Sequence, residues 1–231
     1  VDPLSEKFYS YSPYNYGLNN PIIMIDPDGR AASPIYDKDG NLLGTDDQGL
    51  QGRAIVMEKD KFKQGMSHDD ALKSNLGASG LNGDKAMSNL LDNYAGLKDR
   101  PDYDGHITLD EANKWFREGD GKPLYVDLAK IDLSSIKQGD FKANGQITYF
   151  QTLFNSKDGR VYGNMGLKLE NGRAKGNYDD YDFDIKPYTN KTKVSPAELI
   201  VRNLATQIGN WKAGNGTGFR IFFNGTASIK K

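Results

Sequence analysis

The sequence predicts an α+β fold: a helical, EF-hand-like middle segment, then an antiparallel sheet, curved or open-barrel, with one packed helix. Three observations predict it. Met87, Leu90, Leu91, Tyr94 and Leu97 recur at helical spacing over 83–98. Alternation over 161–170 runs into Asn171-Gly172, a strong signal for a two-residue type I′ hairpin. Ser195-Pro196-Ala197-Glu198 joins an N-cap, an N1 proline and a capping-box glutamate, and an alternating strand follows over 218–230.

The elements follow in chain order. Residues 1–30 carry five aromatic residues between Phe8 and Tyr16 and two Asp-Pro steps, Asp2-Pro3 and Asp26-Pro27. Their aromatic-polar alternation predicts strand, closed by a turn at Pro27-Asp28-Gly29. Residues 31–82 read as a polar connector. Within it Asp37, Asp39 and Asn41 either form a turn or imitate a calcium loop. Ala54–Met57 is a short strand, and Ser67 caps a helix in which His68 is an exposed first-turn residue.

Residues 83–122 read as helix-loop-helix. With Gly105 at the sixth position of an EF-hand loop, Asp102, Asp104, Ile107 and Glu111 all fall in register. Asp102, Asp104 and Glu111 would hold Ca2+. The first position falls on Arg100, which cannot bind a cation. The alternative is a plain capping box, Thr108 with Glu111 three residues on.

Residues 123–231 read as one compact unit. Strands are expected at 124–128, 146–154, 161–170 and 173 to about 185. Ile200, Leu204, Ile208 and Trp211 are the expected buried stripe of the helix. Phe219, Ile221, Phe223, Ala227 and Ile229 are the expected inward face of the last strand.

Composition narrows the chemistry. Among 231 residues, 30 basic and 31 acidic side chains leave a net charge of -1, so no overall basic field invites nucleic acid. The absence of cysteine excludes disulfides, thiolate catalysis and cysteine-ligated zinc. Two histidines, His68 and His106, are too few for most imidazole-built sites. No apolar run reaches the ~18 residues of a membrane span. The start, Val1-Asp2-Pro3, has neither an initiator methionine nor a signal-peptide pattern, as in a fragment of a longer protein.

Carboxylate chemistry remains, and the best candidate is Tyr178-Asp179-Asp180-Tyr181-Asp182-Phe183-Asp184. Strand periodicity puts Asp180, Asp182 and Asp184 on one face, where three like charges call for a cation, an arginine or bulk water. Extending the 171–172 hairpin sets Tyr178 opposite Met165, and Asp180 and Asp182 opposite Gly163 and Val161. Either a bulge near Asp179 then flips the face, or the carboxylates point into the concave side of the sheet.

Two family resemblances follow. Tyr14, Tyr16, Asn20-Pro21 and Asp26-Pro27-Asp28-Gly29-Arg30 resemble the end of the Rhs/YD-repeat core of bacterial (Bacteroidetes-like) polymorphic toxins. The resemblance implies a core that encloses its toxin and frees it by aspartate-dependent cleavage. It also implies delivery with a secretion apparatus into a competitor bacterium, and a cognate immunity protein. Residues 1–30 would be the end of that core and 123–231 the toxin domain.

Asp179-Asp180-Tyr181-Asp182 is similar to the Asp-x-Tyr-Asp signature of colicin M-type bacteriocins, which cleave lipid II on the periplasmic side of the membrane. The His-Arg half of that signature is missing, and Tyr188-Thr189 stand in its place. The likeness implies catalytic roles for Asp179, Tyr181 and Asp182, with Arg202 as the replacement arginine. It also implies Mg2+ at Asp180, Asp182 and Asp184, and a lipid-linked envelope precursor as substrate. A nuclease toxin acting in the cytoplasm and a non-enzymatic, envelope-binding effector are the alternatives.

Overall fold

The structure is a computed structural model that describes residues 33–143, 145–183 and 196–231, without the side chains of 196–198, 201, 202 and 205. The Rhs-like stretch 1–30 and Asp184 lie outside the described residues. The chain divides into two compact units, Val1–Tyr103 and Asp104–Lys231.

In the first unit, the stretch read as a connector carries a three-stranded sheet of β1 (Pro34–Tyr36), β2 (Leu42–Thr45) and β3 (Ile55–Val56). Its order is β2-β1-β3, with β1 antiparallel to β2 and parallel to β3. Period-2 alternation explains the packing on both faces. Ile35 and Ile55 pack with Met57 and with Ala71 of α1 (His68–Lys73). Tyr36 and Val56 pack with Leu90 of α2 (Asp84–Ala95).

Of the two readings of the 37–41 segment, the turn is what forms. Asp37 Oδ1 accepts the N–H groups of Asp39 and Asn41, each at 2.9 Å, and Lys59 sits 3.3 Å from the other oxygen. Burial works against the Asp37 carboxylate, but the hydrogen bonds from Asn41, Asp39 and Lys59 outweigh it and lower the pKa. Gly40, at φ +78°, passes so close to α2 that a β carbon would lie 2.2 Å from the Ala86 carbonyl oxygen.

The expectation for His68 is corrected. Its ring is only 19% exposed, and Nδ1 lies 2.8 Å from the fully buried Asp46. Asp46 also accepts N–H groups from Ser33, Gln48 and Gly49, so His68 completes a donor set around a buried carboxylate.

The second unit contains α3 (Leu109–Glu118), β4 (Leu124–Asp127), β5 (Thr148–Gln151), α4 (Gly159–Tyr162), β6 (Asn164–Glu170) and β7 (Arg173–Gly176). It continues with β8 (Tyr178–Tyr181), α5 (Pro196–Ala213), β9 (Phe219–Asn224) and β10 (Ala227–Ser228). One sheet has the order β10-β7-β6-β5 and is antiparallel. The other has the order β4-β9-β8, with β4 and β9 parallel and β8 antiparallel to β9. Both sheets are open, so the α+β expectation is met. A single core gathers Ile107, Phe116, Leu124, Met165, Leu167, Ile221 and Phe223 with their neighbours. The inward set expected for the last strand is buried throughout.

The hairpin turn is as expected, with Asn171 at φ 50° and Gly172 at φ 75°. The strands around it are not. Residues 159–162 are helical and Gly163 takes φ +58°, so β6 starts only at Asn164. The β6–β7 ladder stops at Leu167 opposite Gly176. The Asn177 carbonyl then accepts the Phe223 N–H at 3.0 Å, and β8 pairs in the other sheet, with Asp179 opposite Ile221 and Asp180 opposite Arg220. The crossing uses Gly176, where a β carbon would meet Phe223 Cδ2 at 2.7 Å. No ladder therefore sets Tyr178 opposite Met165, nor Asp180 and Asp182 opposite Gly163 and Val161.

A second correction concerns α5. Ile200, Leu204, Ile208 and Trp211 are exposed, Trp211 by 82%. The helix instead buries Leu199 and Ala213 and brings Gly209 against Phe183, where a β carbon would lie 3.0 Å from the ring.

Candidate functional site

Strand parity decides which acids of the 178–184 segment face inward. On β8, Asp179 and Tyr181 turn toward the protein while Tyr178 and Asp180 turn out. Tyr181 is the anchor. Its ring stacks on Phe219 and meets Phe116 and Phe183 edge-on. Its hydroxyl donates to Asn113 Oδ1 at 2.8 Å, and burial pushes its pKa up to about 12.

Asp179 shares that inward side but sits where the core opens into a cleft of about 1350 Å³. Burial, reinforced by the charges of Asp180 and Asp182 and opposed by a hydrogen bond from the Asp180 N–H, raises its pKa to about 8. With that pKa, the protonated form is the major one at neutral pH.

The other acids of the segment are placed differently. Asp180 is half exposed and pairs with its cross-strand neighbour Arg220, Oδ1 to Nε 2.9 Å. The Arg220 guanidinium in turn lies 4.0 Å from the centre of the Tyr178 ring. Asp182, just past the strand, is exposed at the cleft, and its N–H donates to the Asp180 carbonyl. Asp184 and the Arg202 side chain lie outside the described residues, so the structure unites Asp179, Tyr181 and Asp182 and leaves those two unplaced.

The cleft also holds groups that motif reading did not bring together. His106 Nε2 lies 3.2 Å from Asp158 Oδ1. Asp158 is itself fixed, because its Oδ2 accepts the Asp132 N–H at 2.7 Å. The Tyr162 hydroxyl, on the same wall, is buried and has no partner among the described residues. Burial first, then the neighbouring charges of Asp158 and Asp179, push this phenol well above its ordinary range. No local pattern ties His106 to Asp158 or to Asp179, since each comes from a different element. The paucity of histidine was the only available pointer.

The cleft is lined by charges of both signs. Lys157, Arg160 and Lys212 line it; the charge of Lys157 acts on the nearby Asp132 carboxylate, which also accepts its N–H. Of the acids, Asp158 is bound to His106 and Asp180 to Arg220, Asp179 has its pKa raised to about 8, and Asp182 stands exposed at the mouth. Exposed Ile147, Tyr149 and Phe154 form an apolar rim.

The metal expectations fare as follows. Among the described residues, no three His, Asp or Glu side chains converge as a ligand set. In the EF-hand-like segment, Asp102 is buried and forked onto Arg100 at 2.9 and 2.8 Å. Asp104 Oδ1 accepts the His106 N–H at 2.9 Å. Glu111 closes the capping box, accepting the Thr108 N–H at 2.8 Å. Each carboxylate thus serves its own neighbours, as in the capping-box alternative.

No family model matches the chain, and no curated protein matches it. Among solved structures the chain is similar to PaeM, a colicin M-like bacteriocin produced by Pseudomonas aeruginosa, at 18% identity and a TM-score of 0.27. The match covers 52% of this chain and 48% of that one, so the chain spans about half the length of PaeM. At that TM-score the likeness carries no argument about activity.

Proposed function

We propose that this chain carries an antibacterial effector of the Rhs kind, whose second unit hydrolyses a phosphoester of a lipid-linked envelope precursor such as lipid II. The observation that carries the reading is Asp179, a half-buried carboxyl on the inward side of β8 with its pKa raised to about 8, in a cleft that Lys157, Arg160 and Lys212 also line. Hydrolysis of a phosphoester needs cations for the non-bridging oxygens and an acid for the leaving oxygen. Lys157, Arg160 and Lys212 supply the first and Asp179 the second. The apolar rim of Ile147, Tyr149 and Phe154 suits the lipid part of such a substrate. Tyr181, bonded to Asn113, anchors the end of the strand that carries Asp179. Asp182 stands at the mouth, where it and Asp180 would share a Mg2+ with Asp184; no step above depends on that ion. The Rhs part of the reading rests on the motif at 14–30, and with it come a cognate immunity protein and delivery into a competitor.

The test is killing by the full chain directed to either compartment of a sensitive bacterium. The expected result is killing from the periplasm, reduced at least about a hundredfold by Asp179→Asn, given that a general acid contributes 10²–10⁴-fold. Killing confined to the cytoplasm would favour the nuclease alternative. Undiminished killing by Asp179→Asn would overturn the hydrolase reading.

A further inference from the structure

We propose that His106, held in place by Asp158, is the second proton-transfer group of this cleft and works opposite Asp179 on the same phosphoester. The inference rests on the hydrolase reading above and adds to it the group that activates water.

Three observations on separate elements support it. First, His106 and Asp158 form a base-and-orienter pair, Nε2 to Oδ1 3.2 Å. The carboxylate is not free to swing, because its second oxygen accepts the Asp132 N–H at 2.7 Å. The neighbouring Ser156 Oγ accepts the Asp158 N–H and donates to the Asp132 carbonyl at 2.6 Å. With Nε2–H donated to Asp158, Nδ1 is the basic nitrogen. Second, His106, Tyr162 and Asp179 line one cleft, and the ring of His106 is about a third exposed there. Third, the buried Tyr162 hydroxyl is without a partner among the described residues and is flanked by Asp158 and Asp179. A buried donor left unpaired is costly, so such a group is commonly satisfied by what binds beside it. A phosphoryl oxygen would satisfy it.

The step balances with these groups alone. Water gives a proton to His106 Nδ1 as its oxygen forms the new bond to phosphorus. The ester P–O bond breaks, and the leaving oxygen takes the proton of Asp179. Asp158 faces the imidazolium that results and stabilises it, acting as a positioning residue.

The chain has two histidines, which makes the test direct. The full chain is labelled at histidine alone, His68→Gln identifies the ring signals of His106, and inorganic pyrophosphate is the probe. Pyrophosphate is expected to move the His106 signals and leave those of His68 in place. In the periplasmic killing assay, His106→Gln is expected to lose at least tenfold with an unchanged melting temperature, and Asp158→Asn to lose less. His106 signals unmoved by pyrophosphate, or full killing by a folded His106→Gln chain, would overturn the inference. The hydrolase reading would then stand provided Asp179→Asn had lost killing in the same assay. Full killing by both variants removes both. The pyrophosphate titration needs no active-site variant, so it decides the matter even where His106→Gln fails to fold.

Discussion

Replacing Asp179 with asparagine is expected to stabilise the second unit, and by an amount that depends on pH. The folded pKa, about 8, stands above the ordinary value of 3.8. Between those values the native chain keeps a proton that the unfolded chain has released. The native state is therefore penalised progressively as pH rises through this window, and the penalty levels off above the folded pKa. Each unit corresponds to about 1.4 kcal/mol, so raising the pH from about 5 to about 8 costs the parent about 4 kcal/mol at most. Relaxation of the ionised carboxylate toward the open cleft shrinks the penalty, and about 2 kcal/mol is a reasonable floor. Asparagine keeps the shape and cannot ionise. Both tryptophans, Trp115 and Trp211, belong to the second unit, so tryptophan fluorescence during urea unfolding reports that unit. The variant should lose none of this stability between the two pH values. Parallel pH dependence in parent and variant, or a variant less stable at about pH 8, would refute the account of Asp179.

Two further predictions concern cations and caps. Thr108→Ala removes half of the capping box at α3 and should cost about 1 kcal/mol by thermal or urea unfolding. The cost should be the same in calcium and in chelator; a loss seen only with calcium would show the segment to be a cation loop. A Mg2+ site at Asp180, Asp182 and Asp184 predicts hydrolysis of isolated lipid II that a chelator abolishes and Mg2+ restores, and unchanged turnover in chelator would remove that site.

What could be read from the sequence was local. The Asn171-Gly172 turn, the Thr108–Glu111 box and the inward face of β9 each depend on neighbours within a few residues, and all three form. Parity held along 178–181, where Tyr178 and Asp180 face outward and Tyr181 inward. What failed depended on distant partners. The strand after the hairpin changes sheets at Gly176, against which the Phe223 ring packs, and no register count from the turn can foresee a partner so distant in sequence. The apolar stripe of α5 was found, but periodicity cannot say whether anything covers it, and here Leu199 and Ala213 are buried instead. His106 was noted only as one of two histidines, because the ring's partner, Asp158, lies on a different element. Asp180 drew attention as one of three like charges, yet it is Asp179 that combines burial with access to the cleft, and Arg220 accounts for Asp180.

The central claim is that the Asp179 side chain is an acid, not an anion, under working conditions. Carbon-13 NMR of the aspartate carboxyls, assigned with Asp179→Asn, measures this directly across a pH series. The expected midpoint for Asp179 is near 8. A midpoint at an ordinary aspartate value of about 4 would mean that the carboxyl is ionised in the cleft, and its role as proton donor would be lost.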